Sequence, residues 1–126
     1  MPRSDGVAAR AQALIGTRFR PQGRGRDGLD CIGLVAAALG LSEARRDYAL
    51  RGGDLAALEA GLAEAGLRPV GAKAAGDVVV LRFGPGQLHL GVWTGEGLVH
   101  ADAGLGQVVE RPGAPPWPIV SIWRKE

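Results

Sequence analysis

Residues 77–102 read DVVVLRFGPGQLHLGVWTGEGLVHAD, and this stretch decides the fold. It holds three short β-rich runs, DVVVLRF, LHLGVW and LVHAD, parted by FGPGQ and TGEG. Downstream, QVVE and PIVSIW follow, set off by AGLG and RPGAPPWP. Short runs of β-branched and aromatic residues with Gly and Pro punctuation predict an antiparallel meander. Pairing Trp93 with Leu98 across the Thr94 to Gly97 turn sets His100 opposite Gly91 and His89 opposite Asp102. The two histidines are then diagonal neighbours on one face, close enough for their rings to meet. Gly91, lacking a side chain, is expected to leave room for the His100 ring. A slip of one residue would send the rings to opposite faces.

Upstream of this stretch the pattern is helical. Ser4 is a candidate N-cap, and Val7, Ala11, Leu14 and Ile15 form one apolar stripe that Gly16 can end. Thr17 to Leu29 has Gly, Pro and Arg without periodicity and reads as loop. Asp30 caps a second helix, Cys31 to Leu39, stopped by Gly40. That helix is apolar on every face, the pattern of a buried central helix. Asp54 caps a third, with Leu55, Leu58, Leu62 and Ala65 along one side and Gly66 at its end. Helices first and strands second, with no βαβ alternation and no repeat, predict an α+β fold. With 126 residues the chain has room for one domain, spanning 1–126.

Composition narrows the function classes. Hydrophobic residues make up 46% and charged residues 22%, an ordinary globular balance. A net charge of +2 is too small to imply nucleic-acid binding. No apolar run approaches the roughly 18 residues of a membrane helix, so a membrane span is not expected. A single cysteine excludes an internal disulfide. The opening MPRSDGVAAR lacks the pattern of a secretory signal, so the expectation is synthesis in the cytoplasm.

One Cys and two His are the scarce reactive residues. Cys31 stands at the first turn of a helix, where free N–H groups and the dipole favour a thiolate. The same N–H groups could hold an oxyanion, and Gly33 is expected to leave open space beside the sulfur. Cys31, His89, and then His100 or Asp102 fit a nucleophile, a base and an orienting group. A zinc site from the same four side chains is the competing reading, but their spacing matches no compact zinc pattern. Ser4, Ser42 and Ser121 lack the flanking pattern of a nucleophile. Arg18, Arg20, Arg24 and Arg26 read either as a solvated loop or as a cationic rim for an anionic substrate. Trp117 and Trp123 read as core or sheet cover, with a glycan-facing role for Trp117 as the alternative.

Four stretches carry a family resemblance: GTRFRPQGRGRDGLDCIGLV (16–35), GDVVVLRF (76–83), HLGVWTGEGLVHADAG (89–104) and QVVE (107–110). In content and order they resemble the NlpC/P60 cysteine peptidases, above all the compact phage-tail and gene-transfer-agent branch. The resemblance implies a papain-like α+β core with the helix of the nucleophile packed on the antiparallel sheet. It implies Cys31 as nucleophile, His89 as general base and acid, and His100 as the third, orienting residue. No metal or other cofactor is implied. The implied substrates are peptidoglycan stem peptides, often cut between D-Glu and the diamino acid. Cys31 and His89 in these roles predict hydrolysis through a thioester, and delivery within a phage-like particle or release at lysis would reconcile a wall substrate with the lack of a signal pattern. Phage-like tail proteins are the implied partners. Two positions depart from the family pattern: Ile32 stands where Ser is usual, and Phe19 where Tyr is usual. Gln22 is the candidate replacement donor at the oxyanion, and Arg20, in the loop before Cys31, a candidate for substrate carboxylates. The rival readings are a non-catalytic structural or wall-binding tail component, and an amidase or acyltransferase of the same fold.

Overall fold

The computed structural model describes residues 3–25, 27–41 and 54–125. Asp30 starts the helix at the centre: its carboxylate accepts the Gly33 N–H, and Gly40, at φ +75°, ends the helix. This helix, α2 (Cys31–Leu39), buries every residue except Ala37, as its all-round apolar sequence requires. Before it come α1 (Arg3–Ala13), β1 (Arg24–Gly25) and β2 (Gly28–Leu29); after it comes α3 (Leu55–Glu64). Asp54 caps α3 through the Ala57 N–H, and Leu58 and Leu62 face inward. The strands β3 (Leu67–Val70), β4 (Val78–Gly84), β5 (Gln87–Trp93), β6 (Gly97–Asp102), β7 (Gln107–Pro112) and β8 (Ile119–Lys125) follow. The α+β class read from the sequence is the observed one.

The six strands form one antiparallel sheet in the order β3-β8-β4-β5-β6-β7. Only β4 to β7 make the expected meander; β8 returns to lie between β3 and β4. The strand β3 has no counterpart in the sequence reading. Its Pro69 breaks the pattern of a strand, and an edge position is where a sheet accepts proline. Alternation splits the sheet into two faces. Val78, Val80, Leu88, Leu90, Val92, Val99 and Ala101 join the core with the helices. Val79, Leu81 and Leu98 form a second cluster on the other face with Trp93 and Trp117. Arg124 grips the fully buried Asp77 through two hydrogen bonds of 2.9 Å.

Three local expectations change. The first helix begins at Arg3, so Ser4 lies within it, and it ends at Ala13, leaving Ile15 45% exposed. The segment 17–29 has order: β1 and β2 form a small hairpin, and Arg18 and Phe19 bridge to Gln107 and Leu29. It therefore lies along the start of β7, tied there by Phe19 N–H to Gly106 O and Val108 N–H to Thr17 O, both 2.8 Å. Ser42 and Arg26 lie outside the described residues.

Candidate active site

The β5–β6 hairpin forms with Trp93 opposite Leu98 and Val92 opposite Val99, the expected register. The ladder does not continue to His89 and His100. Both side chains still emerge on the same face, and Nε2 of His89 lies 3.0 Å from Nδ1 of His100. The rings meet edge to face, with centroids 5.2 Å apart. Gly91 does not shelter the His100 ring, because the space a Cβ would take there is filled by Leu98.

The helix α2 packs against both β5 and β6. Cys31 opens α2, and the Leu90 backbone N–H, one residue past His89, lies near enough to its sulfur to favour the charged form. Among the described residues no hydrogen bond joins Cys31 to His89. With Nε2 engaged by His100, Nδ1 is the His89 nitrogen left for a proton acceptor role.

The sulfur is covered: Cys31 is 3% exposed. Burial pushes its thiol up to about 12, and the charge of Asp30 adds to the rise. The N–H groups of Leu90, Ile32 and Cys31 itself pull the other way and lose. Burial thus works against the thiolate expected from the helix start, because desolvation of a full charge outweighs a few N–H dipoles. Burial holds His89 down to about 3, the neighbouring His100 adding to the fall and Asp102 opposing it. Burial also lowers His100, with Asp102 opposing and Arg111 assisting. The resting pair is thus a neutral thiol and a neutral imidazole.

Gly33 differs from expectation as well. A Cβ there would strike the carbonyl oxygen of Gly23, so the glycine admits the loop backbone, not open space beside the sulfur. Asp30 ties that loop down, accepting from Gly33 N–H at 2.8 Å and from Gln22 N–H at 3.1 Å. Gln22 is exposed and takes a left-handed φ of +57°, so it sits at a strained bend before the nucleophile candidate. Its side chain makes no hydrogen bond among the described residues. Arg18 and Arg20 are exposed on the same loop, and Phe19 is half-buried against the core. Asp102 is half-buried; its Oδ1 accepts the Leu105 N–H at 3.0 Å, which shapes the β6–β7 turn.

An aromatic wall around the histidines escaped the sequence reading. Phe83 packs on His89 at 4.1 Å between centroids and on Trp117 at 4.2 Å. Trp117 lies edge-on to His100 at 5.4 Å and to His89 at 6.4 Å. The alternation Val79, Leu81, Phe83 along β4 is the signal that could have placed Phe83 on this face. Among the described residues no three His, Cys, Asp or Glu side chains gather as a metal-holding group.

No family model and no curated protein matches the chain. Solved structures do. NlpC1 from Trichomonas vaginalis aligns over 97% of this chain and 45% of its own, with a TM-score of 0.70 and 21% identity. This chain therefore spans less than half of that protein. RipB, a peptidoglycan hydrolase from Mycobacterium tuberculosis, aligns over 97% of this chain and 64% of its own, at TM-score 0.61 and 24% identity. RipD from the same organism is described as a non-catalytic NlpC/p60 domain protein adapted to peptidoglycan binding. It aligns over 98% of this chain and 96% of its own, at TM-score 0.59 and 18% identity. The chain has the fold of NlpC/P60 domains, and that fold serves both hydrolysis and binding.

Proposed function

We propose that this protein is a cysteine peptidase that hydrolyses amide bonds in peptidoglycan stem peptides, at a D-Glu to diamino acid type of link. The observation that carries the reading is the buried Nε2 to Nδ1 contact of 3.0 Å between His89 and His100, with Cys31 opening α2 beside the next residue of β5. Peptidoglycan as the substrate rests on the likeness in fold to RipB and on the resemblance of the quoted stretches. Delivery by a phage-like particle, with tail proteins as partners, rests on the second of these; mass spectrometry of purified particles tests it.

The starting state is uncharged, so proton removal and attack proceed together. Nδ1 of His89 takes the thiol proton as the sulfur bonds to the carbonyl carbon, and the N–H groups at the start of α2 receive the oxyanion. The resulting imidazolium gives its proton to the leaving amine, which departs and leaves a thioester. Water then loses a proton to Nδ1 and attacks the thioester, and the imidazolium returns that proton to the departing sulfur, which releases the acid and restores the thiol. His100 accepts the Nε2–H of His89 throughout and so fixes the tautomer.

Digestion of purified sacculi and defined muropeptides, resolved by mass, tests the reading. The intact protein releases new amines and Cys31→Ala releases none; full cleavage by the alanine variant would refute it. One observation favours a binding role like that described for RipD: the sulfur is covered and makes no hydrogen bond to His89 among the described residues. Retention on sacculi without any new amine would establish that rival. A panel of other amides and thioesters separates an amidase or acyltransferase of the same fold.

A further inference from the structure

Arg111 lies on β7 opposite Leu98 of β6, which puts it in the row of side chains that carries His100. Its guanidinium sits 5.6 Å from the centroid of the Trp117 ring, within the range of a cation–π contact. Trp117 in turn touches both His100 and His89. Arg111 is close enough to disfavour a charge on His100. It is exposed, and among the described residues its guanidinium makes no ion pair and no hydrogen bond.

Stacking occupies the face of a guanidinium and leaves its N–H groups pointing outward in the plane. A forked donor held this way matches the planar, two-oxygen acceptor of a carboxylate. The charge is single, and the Asp102 carboxylate acts on the same histidine pair, which disfavours a dianion such as phosphate. The arginines of the loop before Cys31 lack this setting: Arg18 and Arg20 are exposed and show no aromatic platform among the described residues.

We infer that Arg111, stacked on Trp117, is a carboxylate-binding residue that selects peptides with a free carboxylate near the scissile amide. The inference rests on the peptidase reading for the substrate class, but binding can be measured without turnover.

The probes are two stem-type tripeptides of L-Ala, γ-linked D-Glu and a diamino acid, with the α-carboxyl of D-Glu either free or amidated. Calorimetric titration of the full-length Cys31→Ala protein should show the free acid bound about tenfold more tightly than the amide. Adding Arg111→Gln should level the two affinities by weakening the acid alone, and Arg111→Lys should keep part of the preference. In the catalytically intact protein the same change should raise KM for the acid and leave kcat near its original value. A preference that survives Arg111→Gln overturns the assignment, as does binding of neither peptide. Cleavage of both forms with equal KM also overturns it while leaving the hydrolytic reading intact. An Arg111-dependent preference in binding without any cleavage by the intact protein upholds the assignment and removes the peptidase reading.

Discussion

His89 and His100 share one proton line: with Nε2 and Nδ1 3.0 Å apart, His89 must donate if its other nitrogen is to act as a base. His100 then carries its own proton on Nε2. Phe83 and Trp117 close around the pair, so water cannot easily substitute for either ring.

Removing the orienting contact should be costly for turnover. His100→Ala is expected to lower kcat by about a hundredfold, the scale of a lost hydrogen bond behind a reactive imidazole. Asp102→Ala, which lacks a hydrogen bond to His89 among the described residues, should cost clearly less. Steady-state kinetics on one defined muropeptide decides the order, and the reverse order makes Asp102 the orienting group.

Covered and uncharged, the Cys31 thiol should alkylate slowly. Iodoacetamide at pH 8 should modify the folded protein at least about tenfold more slowly than the chain in denaturant, because the thiolate is the reacting species. Mass spectrometry of timed samples gives both rates. Equal rates would mean that the sulfur is open and ionised.

Stability should have a plateau with two falling sides. An unfolded imidazole binds a proton below its ordinary 6.5, whereas folded His89 resists until about 3. Between these values the unfolded state holds more protons, so stability falls as pH drops from about 6.5 towards 3. For Cys31 the folded state keeps its proton to about 12 against an ordinary 9.0, so stability falls as pH rises through that window. Urea unfolding across pH should show the plateau between, and Cys31→Ala should flatten the alkaline side alone.

Gly33→Ala should destabilise the protein by about 1–3 kcal/mol, because the new methyl group meets the Gly23 carbonyl. Gly71→Ala, at an exposed site with open space around it, is the control and should be close to neutral. Urea midpoints of the two variants test the contrast.

Much of this was readable from local pattern. Asp30, the apolar run to Leu39 and Gly40 define α2 by capping and period, and one turn fixes Trp93 opposite Leu98 and thereby the face shared by the histidines. What escaped depends on distant parts of the chain. Leu67–Val70 becomes a strand only because β8 arrives beside it. The Cys31 thiol is uncharged because a whole core desolvates it, a quantity that the helix start cannot reveal. Trp117 and Arg111 reach the histidines through the β7–β8 connection and the cross-strand register, neither of which a motif encodes.

The place of β8 inside the sheet has a consequence for how the chain assembles. Val78 to Leu81 is fully buried in the finished fold and borders β8 on one side. Until Ile119–Lys125 docks, that run of three valines and a leucine is an open, adhesive edge, and copies meeting at that stage can zip together along it. Dilute, slow refolding should therefore give more native protein than concentrated, rapid refolding.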